Sequence, residues 1–189
     1  MATTAGAARR RPRGRHRRTL HLVDVENLVG DPRAATAAIR ATLDAYRRAI
    51  RVEPDDLVVL AANPGVALDL GLAWPGALLR AARGPDGADL ALLDDLRDLT
   101  ALGGGPSGER FDRVAIGGGD HIYAPAVRRL TAHGTPVVVV SRPESLAFVL
   151  RRAASQVIDL DTGGTAVPAT VSRSVAFVVC ESGPDRWRS

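Results

Sequence analysis

The chain has 189 residues, 46% of them hydrophobic, and 25 basic residues against 21 acids, for a formal charge of +4; every basic residue is Arg and none is Lys. That length suits one domain around a single core and is short for two. A single cysteine, Cys180, excludes an internal disulfide framework and a multi-cysteine zinc site, and fits a reducing cytosol.

The charge is divided along the chain. Seven Arg lie before residue 19, and without them 18 Arg face 21 acids, a net of −3. Residues 1–18 therefore read as a disordered, Arg-rich arm, able to hold polyanions non-specifically by releasing their counterions. The arm has no apolar leader segment, and no run of about 18 apolar residues follows. The expectation is a soluble, cytoplasmic protein with no membrane partner. Exclusive use of Arg matches a GC-rich coding sequence, though its planar fork also pairs bidentately with phosphate.

From Thr19 onward, short aliphatic runs alternate with amphipathic stretches, the pattern of strands joined by crossover helices in a parallel α/β fold. In chain order the sequence predicts a strand over 19–25, a helix over 32–50 with Pro32 in its first turn, and a strand over 57–62 stopped by Asn63-Pro64-Gly65. A short helix over 66–73 and a weak strand over 77–82 follow, then a helix over 87–102 and a glycine-rich loop. Next come a strand over 111–116 ending in Gly117-Gly118-Gly119-Asp120, a helix over 122–132 stopped by Gly134, and a valine strand over 136–140. A helix over 144–154 and a strand over 156–160 close the domain at Asp161. Residues 162–189 form a tail in which 171–180 could add an edge strand.

In open parallel sheets ligands gather at the carboxyl ends of the strands, and two unusual acids fall there. Asp24 ends an apolar strand, where a carboxylate is costly unless paired or metal-bound; it could also cap the next turn, as could Asn27. Glu26 alternates away from it. Asp120 follows three glycines and could likewise serve as a helix N-cap. Asp89 is more informative. At about 100° per residue, it falls within the arc of Leu92, Leu93, Leu96 and Leu99, whereas Asp94 and Asp98 point the opposite way and Asp95 lies on the flank. An acid on the apolar face either completes a cap with Asp86 or reaches into a site.

Carboxylates gathered without a cation repel one another. A hard Mg²⁺ or Mn²⁺ relieves that repulsion, activates water and offsets the charge that builds on a phosphodiester under attack. No serine elbow, C-x-x-C, H-E-x-x-H or Walker lysine is present, and four scattered His supply no zinc spacing. His121 is either a neighbouring ligand or an ordinary surface or core residue.

Val23-Asp24-Val25-Glu26-Asn27-Leu28, Gly87-Ala88-Asp89-Leu90-Ala91-Leu92 with Asp95, and Val114 through Gly117-Gly118-Gly119-Asp120-His121-Ile122-Tyr123 together resemble the NYN domain, a PIN-like nuclease fold, over roughly residues 19–161. The resemblance implies a Rossmann-like, three-layer α/β/α sandwich with a mainly parallel sheet, acting on RNA with Mg²⁺ or Mn²⁺. It also implies that Asp24, Asp89 and Asp120 hold the metal, that Asn27 positions ligand or water, and that Asp95 is a supporting acid. One motif departs from the family's Ser-Gly-Asp-x-Asp-Phe: Gly118 stands for the Ser, Ile122 for the second Asp and Tyr123 for the Phe. The lost carboxylate bears on two-metal binding and turnover, so an RNA-binding or regulatory module without efficient chemistry is the second expectation. A third is a phosphate-binding protein in which residues 117–119 cradle the anion.

Overall fold

Six short aliphatic runs pair as parallel strands, because each is followed by a helical crossover that returns the chain to the same end of the sheet. In the computed structural model, which describes residues 18–161 apart from 32–33, 85 and 102–110, these are β1 (Thr19–Asp24), β2 (Leu57–Ala62), β3 (Leu78–Ala81), β4 (Arg113–Gly117), β5 (Val137–Ser141) and β6 (Gln156–Asp159). They lie in the order β3-β2-β1-β4-β5-β6, with every neighbouring pair parallel. This is the doubly wound Rossmann order. Its strand order reverses between β1 and β4, and the carboxyl end of the sheet at such a switch point is where ligands collect in this architecture.

Side chains alternate across the sheet, so each strand feeds two cores. Leu20, Leu22, Val59, Val114, Ile116, Val137 and Val139 meet α4 (Gly87–Ala101), α5 (Ala124–Ala132) and α6 (Phe148–Ala153). Val23, Val58, Leu60, Ala115, Val138 and Val140 meet α1 (Val25–Val29), α2 (Thr36–Ile50) and α3 (Ala67–Ala73). The result is a three-layer α/β/α sandwich. Among the described residues no helix is long and apolar enough to cross a membrane.

Several boundaries differ from the sequence expectation for local reasons. β1 stops at Asp24 because its side chain caps a five-residue helix, α1, that the sequence pattern did not predict; Gly30, at φ 78°, ends that helix. The long helix begins at Thr36 rather than residue 32. The last helix is split: residues 143–145 form a 3₁₀ turn and α6 starts at Phe148, since the Ala147 N–H is spent on the Gly119 carbonyl at 2.8 Å. The domain also begins one residue early. Arg18 donates its backbone N–H to Asp112 and its guanidinium to the Asp55 carbonyl. Residues 1–17, and the proposed edge strand over 171–180, lie outside the described residues.

Beneath the sheet's other end, the buried His21 joins three elements. Its ring nitrogens meet the Tyr46 hydroxyl at 3.0 Å and the Asp56 carboxylate at 3.1 Å, and Asp56 also accepts the N–H groups of Thr19 and Glu53. Burial pushes His21 below its ordinary pKa, with Asp56 partly offsetting the effect. Tyr46, fixed by this bond and by an edge-on contact with the His21 ring, lies against Gly117. A Cβ there would sit 2.9 Å from its ring and 3.1 Å from both Leu28 and Val23. Gly117→Ala should therefore destabilise the protein by about 1–3 kcal/mol, measured as a lower urea midpoint with an unchanged m-value.

Candidate functional site

The switch point takes its polar groups from strand alternation. Asp24 continues the series Leu20, Leu22 and so faces the α4 side of the sheet, where it is only 3% exposed. Asp89, in the first turn of α4, projects inward beside Ala88, Leu92, Leu93 and Leu96 and is 8% exposed. The two carboxyl groups lie close enough for Asp89 to perturb Asp24. Burial, reinforced by the proximity and charge of Asp89, pushes the pKa of Asp24 up to about 8, although the Asn27 N–H, donating to Asp24 Oδ1 at 3.0 Å, works against the shift.

Tyr123 closes the pair from the other side. Its hydroxyl donates to Asp89 Oδ1 at 2.6 Å, with the ring fully buried between α4 and the sheet. Burial first, then the charges of Asp24, Asp89 and Asp120, drives its own pKa far upward, so the hydroxyl stays protonated as a donor. Tyr123, where the resembled motif carries Phe, thus supplies a neutral donor to Asp89. The sequence contained this residue only as a departure, and its signal was a hydroxyl on a side chain otherwise placed to be core.

Asp120 stands farther out. Its side chain is 30% exposed and caps the 3₁₀ turn over His121–Tyr123, accepting the Ile122 N–H at 2.8 Å and meeting His121 Nδ1 at 2.8 Å. It is close enough to act electrostatically on Tyr123. Ile122, where the motif would carry a second Asp, packs against the apolar core. His121 itself is 78% exposed, a surface residue.

Asn27 is used structurally. Its Oδ1 accepts the Gly119 N–H at 2.8 Å, tying the loop after β1 to the loop after β4. Gly118 has φ 148°, a conformation a Ser would adopt only with strain, and a Cβ there would sit 3.5 Å from the Asp24 Cβ. Gly119 leaves still less room, because a Cβ there would overlap the Ser145 carbonyl. With the Gly118 N–H given to the Val140 carbonyl and that of Gly119 to Asn27, these two glycine amides are spent within the protein. A phosphate cradle over residues 117–119 therefore finds no support.

The structure thus brings Asp24 and Asp89 together, places Asp120 at their rim, and leaves Asp95 apart. Asp95 accepts a bidentate pair of bonds from Arg80, both 2.9 Å, which ties α4 to β3. Asp94 pairs with Arg97 on the exposed face and Asp98 is exposed, as their phase predicts. Glu26 is half-buried, its carboxylate accepting the Asn63 N–H at 2.8 Å. Among the described residues no three Asp, Glu, His or Cys side chains are gathered closely enough to hold a metal ion as they stand. The donor chemistry is nonetheless that of a hard cation, with carboxylate oxygens from two elements and a third acid at the rim. A cation would have to displace the proton that Asp24 carries.

No family model matches the sequence and no curated protein matches it. Among solved structures, the chain is similar to a protein of unknown function from Vibrio parahaemolyticus, with a TM-score of 0.54 and 16% identity over 79% of this chain and 97% of that one. That likeness concerns the fold.

Unfolded, Asp24 ionises near its ordinary 3.8, whereas the native state holds its proton to about 8. The native state therefore binds more protons between those values, and its stability falls as pH rises through that window. Asp24→Asn, which retains a good N-cap, should raise stability by on the order of 2 kcal/mol at pH 9 and much less at pH 4, read from thermal midpoints at both. Tyr123→Phe should cost about 1–3 kcal/mol, because Asp89 loses its donor in a buried position.

Proposed function

We propose that this chain is a metal-dependent ribonuclease of the NYN type, hydrolysing RNA phosphodiester bonds at the crevice between the loops after β1 and β4. The observation that carries this reading is the Asp24–Asp89 pair at the switch point of the sheet, two buried carboxyl groups brought together from β1 and α4. A purely structural core gains nothing from such a pair, since apolar residues of the same volume would pack there without desolvation cost. Perturbed carboxyl groups in a cleft are the usual mark of a working site.

Asp24 and Asp89 would hold the Mg²⁺ or Mn²⁺, with Asp120 reaching it directly or through water. Such a cation supplies positive charge against the phosphorane-like transition state and lowers the pKa of the attacking water. The protein's own groups prepare the site. Tyr123 fixes the Asp89 carboxylate and Asn27 locks the Gly119 peptide, so that Asp120 is presented from a rigid turn. In the reaction a water oxygen bonds to phosphorus in line with the departing ribose oxygen, which leaves with a proton. RNA is the proposed substrate, with the Arg-rich arm supplying sequence-independent attraction.

The packing of the half-buried Ile122 against the core and the capping role of Asp120 favour a second reading, a module that binds RNA without cutting it efficiently.

The test is incubation of end-labelled RNA with the full chain, in Mn²⁺ and in EDTA. The nuclease reading expects cleavage only with Mn²⁺. It also expects Asp24→Asn to lose more than the about 10–100-fold that removal of an outer-shell partner costs, with Asp120→Asn impaired as well. RNA retained without cleavage in Mn²⁺ selects the second reading, and equal cleavage by wild type and Asp24→Asn removes the catalytic assignment.

A further inference from the structure

The chain is poor in aromatic residues, with three Phe, two Trp and two Tyr. Five of these seven fall among the described residues, and four, Tyr46, Trp74, Phe111 and Tyr123, are buried. Phe148 is the exception at 69% exposed, and its neighbour Val149 is 45% exposed. Leaving a large ring in water forgoes the hydrophobic gain that the other four realise, so its position in the fold is informative.

That position is the carboxyl end of the sheet, next to the turn after β4. Phe148 opens α6, directly after Ala147, whose N–H donates to the Gly119 carbonyl at 2.8 Å. The preceding Ser145 carbonyl presses on Gly119 so closely that a Cβ there would overlap it. The segment over 145–147 is therefore clamped to the glycine turn that presents Asp120, and Phe148 enters α6 directly after that clamp, at the carboxyl end of the sheet. One turn along α6, the Arg152 guanidinium carbon lies 5.7 Å from the ring centroid, within cation–π range. An exposed ring backed by a guanidinium is a flat, cationic shelf.

We propose that Phe148, backed by Arg152, is a stacking platform for an unpaired nucleobase adjoining the phosphate held at the Asp24–Asp89 crevice. This deepens the ribonuclease reading and rests on it. Flat bases recognise such a shelf through their π-faces whatever their identity, while the guanidinium draws the backbone. The anionic crevice repels phosphate in the absence of a cation, so the shelf contributes attraction that the catalytic acids do not. A base held within a duplex is already stacked on its neighbours and cannot settle on the ring. The platform therefore selects single-stranded RNA.

The experiment compares the full-length wild type, Phe148→Ala and Phe148→Trp on one labelled single-stranded RNA, on its duplex, and on versions carrying one abasic position. Anisotropy in EDTA reads binding, and rates in Mn²⁺ give kcat and KM. Because Phe148 is exposed, Phe148→Ala should keep the wild-type thermal midpoint. It should weaken binding of the single strand and raise KM about 5- to 100-fold, the loss expected for one base stack, with kcat changed little. The duplex should show no difference between the two proteins. Phe148→Trp should restore binding, and its added indole emission should be quenched by the normal strand and less by a strand abasic at the stacked position.

Equal binding and KM for wild type and Phe148→Ala overturns the platform while leaving the nuclease reading intact. An added indole that already emits as a buried ring in the free protein, and does not respond to RNA, overturns it in favour of cover by the chain's own residues. Phe148-dependent binding without cleavage by any of the proteins keeps the platform and removes the nuclease reading. No binding and no cleavage by the wild type removes both.

Discussion

The close approach of the buried Asp24 and Asp89 carboxyl groups organises the carboxyl end of this sheet. Two acids reach it from elements far apart in sequence, and each must give up most of its hydration to get there. Burial and the nearby Asp89 favour a proton on Asp24, and the Tyr123 hydroxyl limits the freedom of the Asp89 carboxyl to turn away. Around this contact the backbone is held by polar groups of its own. Asn27 grips the Gly119 amide, and Gly119 in turn accepts from Ala147, so the loops after β1, β4 and β5 form one connected rim.

Such an arrangement costs stability where an apolar pair would not, and the cost grows as pH rises toward the raised pKa of Asp24. The opposite end of β1 behaves differently. There His21 is neutralised by burial and is satisfied by Tyr46 and Asp56, and Asp56 is held below its usual range because the N–H groups of Glu53 and Thr19 and the His21 ring outweigh its own burial. Both ends of one strand bury titratable groups. Only the end at the switch point brings two carboxyl groups together, which is why the proposed chemistry lies there.

Much of the fold was legible because its signals are local. Strand β2 is bounded by Asn63-Pro64-Gly65 and runs over the residues its composition predicts. The inward phase of Asp89 follows from the helical period alone, as does the outward phase of Asp94 and Asp98. What escaped depends on contacts between distant segments. The break before α6 exists because Ala147 bonds Gly119, and nothing in residues 144–154 announces it. Asp95 was assigned a supporting part, but Arg80, on a different element, takes up its carboxylate. Asp24 was read as ending a strand with a possible capping role; it does both, and the short helix it caps was missed because five residues are too few for periodicity to register.

The proposed function requires a divalent cation to take the place of the proton on Asp24. Crystals grown above pH 8 and soaked in Mn²⁺ test this through anomalous scattering at the manganese edge. The expected result is a peak within ligand distance of both carboxylates. A map with no peak beside Asp24 and Asp89 would contradict it.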